Sequence, residues 1–188
     1  MRVPSRRMSR SAYRPSGRSS GHGLVTSGIK PAEIMGVDWF DPRAAALRAA
    51  MDEETGAMYA DFVAGQTPEV RAGIDVALTV EPGTIDATLI ALDAGRPVGH
   101  AALRAFGPSL EVKKVFVSPD ARGNGFARQL MVALEGIARA RAVPSLILQT
   151  GVLQVPAIRL YEDLGYTPIR PFGAYCLIPN VLCFEKAL

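Results

Sequence analysis

The sequence is poor in the features that mark disulfide scaffolds, membrane-spanning proteins and disordered proteins. Two cysteines among 188 residues are too few for a disulfide scaffold, and we expect Cys176 and Cys183 to be reduced thiols in a cytoplasmic protein. No apolar run approaches the roughly 20 residues that a membrane-spanning helix needs. Aromatic residues make up only 7% of the chain, but hydrophobic residues make up 48%, which argues against global disorder. One ordinary domain with a sizeable core is therefore expected.

Acidic residues are absent from the first 32 positions. That segment holds seven cations, whereas the rest of the chain holds 14 of the 21 cations and all 18 acids, which gives it a net charge of −4. The overall charge of +3 and the pI of about 9.1 would by themselves suggest a nucleic-acid partner. Because the excess positive charge belongs to the amino-terminal segment, the remainder of the chain is not expected to bind nucleic acid.

Residues 1–34 are predicted to form a basic, disordered extension ahead of a single domain over residues 35–188. The extension is rich in Arg, Ser, Gly and Pro, and its apolar residues follow no period. Its composition allows three interpretations: a dispensable extension, a mitochondrial transit peptide, or an arm that contacts phosphates.

The hydrophobic pattern of the domain predicts a mixed α/β sheet with helices on its faces. Asp41-Pro42 is a good start for a helix that continues to about residue 64. Residues 66–82 are compatible with a short helix near Pro68–Ala72 and a loose strand near Val76–Val80. The other predicted elements are strands at 88–92, 98–103, 110–117, 145–149, 166–169 and 181–185, and helices at 124–142 and 156–164.

The strand over 110–117 leads into a turn with two glycines, Gly123 and Gly125, which opens the helix of 124–142. The unpaired N–H groups and the dipole at such a helix start attract a phosphate group. The turn is not a Walker loop, because no Gly-Lys-Ser/Thr ends it. It is not a dinucleotide fingerprint either, because Arg128 stands where the third glycine or alanine belongs.

Two ordered motifs resemble those of the GNAT superfamily of acyl-CoA-dependent N-acetyltransferases. The first fits the family's Gln/Arg-x-x-Gly-x-Gly/Ala signature and follows a typical Val-x-Pro: it is Arg122-Gly123-Asn124-Gly125-Phe126-Ala127, after Val117-Ser118-Pro119. The second is similar to the family's Ala-x-x-Leu-Tyr-x-x-x-Gly-Phe/Tyr helix and spans Ala157 to Tyr166. The resemblance covers about residues 38–188 and is strongest over 111–170.

The resemblance implies a single mixed, largely antiparallel sheet with a central pair of splayed strands. It implies transfer of an acetyl group from acetyl-CoA directly to a primary amine of a small molecule or peptide, without a metal. By the same resemblance, the donor would be bound by the backbone of Phe116 and Val117 and by the pyrophosphate-binding turn: Arg122, Gly123, Asn124, Gly125, Phe126 and Ala127. Gln154 stands where many relatives have asparagine. Relatives are often dimers, so a homodimer is a possible assembly.

Three residues are candidates for proton transfer. Tyr161 occupies the position from which a family tyrosine protonates the departing thiolate; the alternative is an aromatic side chain that packs beside CoA. Glu111 resembles the acid that several relatives use as base, directly or through water; the alternative is a solvated charge at a strand edge. His100 is a further candidate base near the centre of the sheet, although a histidine within a strand is more often structural.

The segments that would form the acceptor side, residues 35–82 and 170–180, carry no motif. The loop over Pro171–Tyr175 either lines the acceptor pocket or is a packed connector. Two other functions stay open at this point: acetylation of a protein or aminoacyl-tRNA amine, and a non-catalytic acyl-CoA sensor or regulatory module.

Overall fold

Seven strands form one mixed sheet in the computed structural model, which describes residues 31–188. The strands are β1 (Glu33–Val37), β2 (Ile85–Asp93), β3 (Arg96–Phe106), β4 (Ser109–Val117), β5 (Ser145–Gly151), β6 (Thr167–Ile169) and β7 (Val181–Ala187). They lie in the order β1-β2-β3-β4-β5-β7-β6, and every neighbouring pair is antiparallel except β4 and β5. The predicted mixed, largely antiparallel sheet is confirmed.

Four α-helices cover the two faces of this sheet. They are α1 (Pro42–Ala64), α2 (Pro68–Leu78), α3 (Phe126–Ala140) and α4 (Val155–Asp163). Helix α3 carries the parallel crossover from β4 to β5, as such a connection requires. Within residues 31–188, no helix is long and apolar enough to cross a membrane.

The apolar side of α3 packs onto one face of the sheet, which we call the α3–α4 face. Leu130, Met131, Leu134 and Ala138 are fully buried there and form one apolar stripe of the helix. The opposite side of the sheet, the α1–α2 face, is covered more loosely. Only Ala44 and Leu47 are buried in the 23-residue helix α1.

The starts of α1 and α2 follow local capping rules. Asp41 accepts a hydrogen bond from the Arg43 backbone N–H at 2.8 Å, and Pro42 is the first residue of α1, as predicted. Thr67 caps α2 in the same way through Val70, and Pro68 follows the cap.

The predicted strand near Val76–Val80 is wrong, because α2 continues as a helix to Leu78. The buried residues Ile74 and Ala77 are three positions apart on one side of this helix. Their spacing fits a helix better than a strand, but the segment is too short and weakly apolar for the period to stand out.

Strand β1 was not predicted. It pairs with β2 from Glu33 opposite Leu92 to Val37 opposite Thr88, and so forms one edge of the sheet. It begins two residues before the expected start of the domain. Residues 1–30, which hold most of the predicted extension, lie outside the described residues.

Candidate functional site

The two parallel strands β4 and β5 pair over only three positions and then separate. The pairs run from Leu110 opposite Leu146 to Val112 opposite Leu148. Beyond them, residues 113–117 of β4 and 149–151 of β5 face a gap. The central splayed pair that the family resemblance implied is present, and we call this gap the split.

A bulge in β4 marks the beginning of the split. Lys114 has a left-handed backbone with φ of 53°, and the register between β3 and β4 shifts between His100 and Ala102. One extra residue in a strand bends it and strengthens its twist. The bulge therefore accounts for the departure of β4 from β5.

A cavity of about 680 Å³ opens at the split and is lined by residues from both faces of the sheet. From the α3–α4 face come Ala157 and Tyr161, and from the α1–α2 face come Tyr59, Phe62 and Ile74. The split itself contributes residues from both strands: Lys113, Lys114, Val115, Gln149, Thr150 and Gly151. Because its walls come from both faces, the cavity passes through the sheet at the split.

His100 supports the bulge and does not line the cavity. Its Nε2 lies 3.2 Å from the Arg48 guanidinium. Because a guanidinium can only donate, Nε2 must be the acceptor and the ring proton is on Nδ1. This Nδ1–H donates to the Lys114 carbonyl at 2.7 Å. Burial is the main reason that the pKa of His100 is lowered to about 4. The bond to the Lys114 carbonyl acts to raise this pKa, but the nearby Arg48 and Lys114 charges lower it as burial does. Both ring nitrogens are thus engaged in a neutral side chain that holds the backbone of β4.

Tyr161 lies in the cavity wall on the α3–α4 face. Its side chain is 5% exposed and packs against Tyr166 and Phe184, with ring centroids 6.0 and 6.2 Å away. Burial raises the pKa of its phenol above the ordinary range, which keeps the hydroxyl protonated near neutral pH. The structure thus offers a protonated O–H at the edge of the split.

Glu111 is fully buried on the α1–α2 face and is not among the residues that line the cavity. Its Oε2 accepts two hydrogen bonds from Arg104, one from Nε at 2.9 Å and one from Nη2. Its Oε1 accepts a hydrogen bond from the Tyr175 hydroxyl at 2.5 Å. Both carboxylate oxygens are therefore engaged. The carboxylate is neither a solvated edge charge nor in direct contact with the cavity.

Lys113 lies between Glu111 and the cavity and is part of no sequence motif. Its Nζ donates to the Tyr175 hydroxyl at 2.5 Å and lies 3.3 Å from Glu111 Oε1. The side chain is only 7% exposed, yet it belongs to the cavity wall. Its spacing from Glu111 along β4 places both side chains on one face, which is the signal that could have suggested it.

The glycine turn lies beyond the cavity at the end of β4. Gly123 and Gly125 have φ of 81° and 80°, and α3 has no side-chain cap, so its first N–H groups are left for another partner. Asn124 braces the turn by donating to the Ala121 carbonyl at 3.0 Å. Such a start of a helix fits a phosphate group.

The remaining motif residues hold the turn in place. Phe126 is 1% exposed and Ala127 packs beside it, so together they fasten the first turn of α3 to the core. Arg122 donates from Nε to the Val117 carbonyl at 3.0 Å and pairs with Glu54 of α1 at 2.6 Å. Phe116 packs its side chain toward α1.

Gln154 lines the cavity at the start of α4. Its Oε1 accepts from the Thr150 hydroxyl at 2.8 Å and from the Gly151 N–H at 3.2 Å. Because the Gly151 N–H can only donate, the side-chain atom of Gln154 that faces it must be the oxygen. The side-chain nitrogen of Gln154 is therefore the group left for a ligand.

Tyr59 closes the α1 side of the cavity above β5, and no local pattern in the sequence points to it. Its hydroxyl accepts from the Leu153 N–H at 3.0 Å. A Cβ atom built on Gly151 would overlap that hydroxyl, so glycine is required there for the two segments to approach.

Comparison with known proteins assigns this architecture to a family. The family model described as Acetyltransferase (GNAT) family matches residues 47–166. The chain is 40% identical over 102 residues to an IAA acetyltransferase from Azospirillum brasilense, which covers 53% of this chain and 67% of that protein. It is 37% identical over 76 residues to a mycothiol acetyltransferase from Acidothermus cellulolyticus, over 38% of this chain but only 23% of that longer protein.

Solved structures agree with the assignment. A Klebsiella pneumoniae protein provisionally assigned as an acyl-CoA N-acyltransferase superposes with a TM-score of 0.66 at 28% identity, covering 84% of this chain and 97% of that one. The fold is also that of the PaiA N-acetyltransferase of Thermoplasma acidophilum, solved with coenzyme A, at a TM-score of 0.59 and 14% identity, covering 85% of this chain and 100% of that one. With its split strands, its glycine turn and these matches, the chain belongs to the GNAT family of acetyltransferases.

Proposed function

We propose that this acetyltransferase moves an acetyl group from acetyl-CoA directly to a primary amine of a small molecule or peptide. The observation that carries the proposal is the cavity through the split, because it opens the space between β4 and β5 to both faces of the sheet. A donor and an acceptor can meet there without a covalent enzyme intermediate. No residue has to act as nucleophile in such a direct transfer.

The donor is proposed to lie along β4, with its pyrophosphate at the uncapped start of α3. Backbone groups of Phe116 and Val117, in the part of β4 that has left β5, would face the pantetheine arm. The turn from Arg122 to Ala127 would hold the pyrophosphate through backbone N–H groups. The free amide nitrogen of Gln154 would add a contact from the other side of the split.

Tyr161 is proposed as the general acid. The departing CoA thiolate needs a proton, and the Tyr161 hydroxyl is a protonated donor in the wall of the same cavity. Its burial keeps the hydroxyl protonated at neutral pH, so the proton is in place when the thiolate forms. The tetrahedral oxyanion requires an N–H donor, for which we propose a backbone N–H in the part of β4 that has left β5.

A thiol-release assay tests this function. The full chain is mixed with acetyl-CoA and a panel of amines, aminoglycosides, amino acids and peptides, and free CoA is measured with a thiol reagent. We expect acceptor-dependent release with at least one class and an N-acetylated product by mass spectrometry. Tight acetyl-CoA binding without turnover of any acceptor would instead identify an acyl-CoA sensor.

A truncated chain separates a small acceptor from a macromolecular one. Deletion of residues 1–30 leaves every described element in place. We expect kcat/KM for a small acceptor to be unchanged by this deletion. A loss of activity, together with a salt-dependent KM in the full chain, would favour acetylation of an RNA-linked amine.

A further inference from the structure

Lys113, Tyr175, Glu111 and Arg104 form a buried chain of hydrogen bonds that ends at the cavity. Arg104 donates to Glu111, Tyr175 donates to Glu111, and Lys113 donates to Tyr175. Lys113 is the member of the chain that lines the cavity. It is also the first residue of β4 beyond the last pair with β5, and so it lies where the split begins.

The charges of this cluster do not balance if Lys113 is protonated. Arg104 and Glu111 neutralise each other as an ion pair, and Lys113 would then add one uncompensated positive charge. Lys114 adds a further positive charge nearby, but it is paired with Asp52 of α1 at 2.6 Å. A buried charge without its own partner is costly, and a lysine in that position tends to lose its proton.

The surrounding groups point the same way. Burial lowers the pKa of Lys113, and this effect outweighs the attraction of the Glu111 carboxylate; Arg104 and Lys114 lower it further. From α2, Asp75 lines the same cavity but is exposed to solvent, and from β7 the Cys183 thiol packs against Tyr175. Neither supplies a buried negative charge that would hold Lys113 in its ammonium form.

The neutral amine would be oriented for proton transfer. One of its N–H bonds points to the Tyr175 hydroxyl at 2.5 Å, and a second can point to Glu111 at 3.3 Å. The tetrahedral position that remains, the lone pair, is then directed away from both partners. The open space beside Lys113 is the cavity.

We propose that Lys113 is the general base of the reaction and that its neutral amine takes a proton from the acceptor ammonium at the split. This inference rests on the proposed function, since it needs an amine acceptor in the cavity. Glu111 and Tyr175 are then positioning residues. They fix the amine before transfer and face the ammonium that forms after it.

The proton and electron changes balance as follows. An N–H bond of the acceptor ammonium breaks and its proton binds Lys113 Nζ; the freed lone pair forms a C–N bond to the acetyl carbon. Collapse of the tetrahedral adduct breaks the C–S bond, and the electron pair leaves on sulfur. Tyr161 gives the thiolate a proton and regains one from the new amide nitrogen, while Lys113 returns its proton to solvent.

A titration that needs no turnover tests the protonation state of Lys113. The sequence has only four lysines, at 30, 113, 114 and 186, so lysine labelled with ¹³C at Cε gives four NMR signals. Lys113→Met identifies the Lys113 signal by its disappearance. We expect that signal in the full chain to titrate below the ordinary lysine value of about 10.4; titration at or above that value would overturn the proposal.

Activity variants then separate a base from an anion-binding charge. Lys113→Met should lower kcat by about 100- to 10,000-fold, the usual contribution of a general base, and remove the acidic limb of the pH profile. Lys113→Arg keeps the charge but cannot give a neutral amine, so it should be as inactive; Lys186→Arg, remote from the cavity, is its matched control.

Retained kcat in Lys113→Arg, with a raised acceptor KM in Lys113→Met, would show that Lys113 recognises an anionic group of the acceptor and would overturn the base role. If no acceptor is turned over by the unaltered chain, the proposed function fails, and the NMR titration still decides the state of Lys113. Acetyl-CoA binding by each variant, followed by calorimetry, shows that the fold is intact.

Discussion

The two faces of the sheet meet at the split but are built in different ways. On the α3–α4 face, the glycine turn and Tyr161 sit in short continuous motifs, and α3 is fixed by a fully buried stripe. On the α1–α2 face, Lys113, Tyr175 and Tyr59 come from three separate segments. Lys113 is held by Tyr175, and Tyr59 is held by the Leu153 N–H, in both cases by tertiary contacts. Under the proposed function, the donor side is thus a local structure, whereas the acceptor side is an assembled one.

This difference has a physical origin. Binding a pyrophosphate requires consecutive backbone N–H groups at the start of one helix, and a few neighbouring residues can supply them. Positioning an acceptor amine requires side chains that converge from several directions. The two sides should therefore respond differently to substitution. A single change in the backbone of the glycine turn should abolish donor binding, whereas loss of a buried polar contact should impair the reaction of the acceptor.

The largest expected effect is at the glycine turn. Gly125→Val places a β-branched residue at φ of 80° and adds atoms where the donor approaches the backbone, so acetyl-CoA binding should fall below detection by calorimetry. Gly136→Val, at an exposed position of α3 where a Cβ meets no atom within 4 Å, should bind normally. Wild-type affinity in Gly125→Val would mean that the turn does not hold the donor.

The next effect concerns stability on the α1–α2 face. His100 has a pKa of about 4 in the folded chain and about 6.5 when unfolded, so between these values only the unfolded chain binds the proton. The free energy of unfolding should then fall by about 3 kcal/mol as the pH drops from 7 to 4. Urea unfolding of His100→Gln should lack this part of the pH dependence; equal slopes for both proteins would refute the neutral buried histidine.

Tyr161→Phe should separate chemistry from donor binding. Loss of the proton donor should reduce kcat by about 10- to 100-fold, with the Kd for acetyl-CoA unchanged. Tyr166→Phe is the matched control, because Tyr166 is buried on the same face and does not line the cavity. An unchanged kcat in Tyr161→Phe at every pH would leave Tyr161 with a packing role only.

The smallest effect is expected where α1 meets β5. Gly151→Ala must displace the Tyr59 hydroxyl from the Leu153 N–H, which should lower the free energy of unfolding by about 1 kcal/mol. In the Tyr59→Phe background the hydroxyl is already absent, so the same alanine should cost less. A double-mutant cycle on urea unfolding measures the difference; strictly additive effects would show that the two residues are not in contact.

The sequence predicted the parts of the molecule that local rules determine. Strands β2 and β3, helix α3, the glycine turn and the start of α1 all follow from short patterns, and all are present. Edge strand β1 was missed because five partly exposed residues carry little periodic signal. The extension of α2 past Ala72 was missed because only Ile74 and Ala77 are buried in it.

The candidate site was predictable to a similar extent. Glu111 could be singled out on its strand, but its partners Arg104 and Tyr175 lie 7 and 64 residues away along the chain. The first is a cross-strand neighbour that correct registration of β3 and β4 would have revealed. The second depends on how the loop before β7 folds over the sheet, for which the sequence has no pattern.

Hydrogen exchange followed by mass spectrometry, with and without CoA, tests most directly that the donor lies in the split. We expect slower exchange in three segments of the full chain: residues 113–117 and 149–151, which face the split, and residues 123–128 at the start of α3. Helix α2, on the proposed acceptor side, should change little. Unaltered exchange in those three segments, at a CoA concentration that saturates the protein, would show that the donor does not lie in the split.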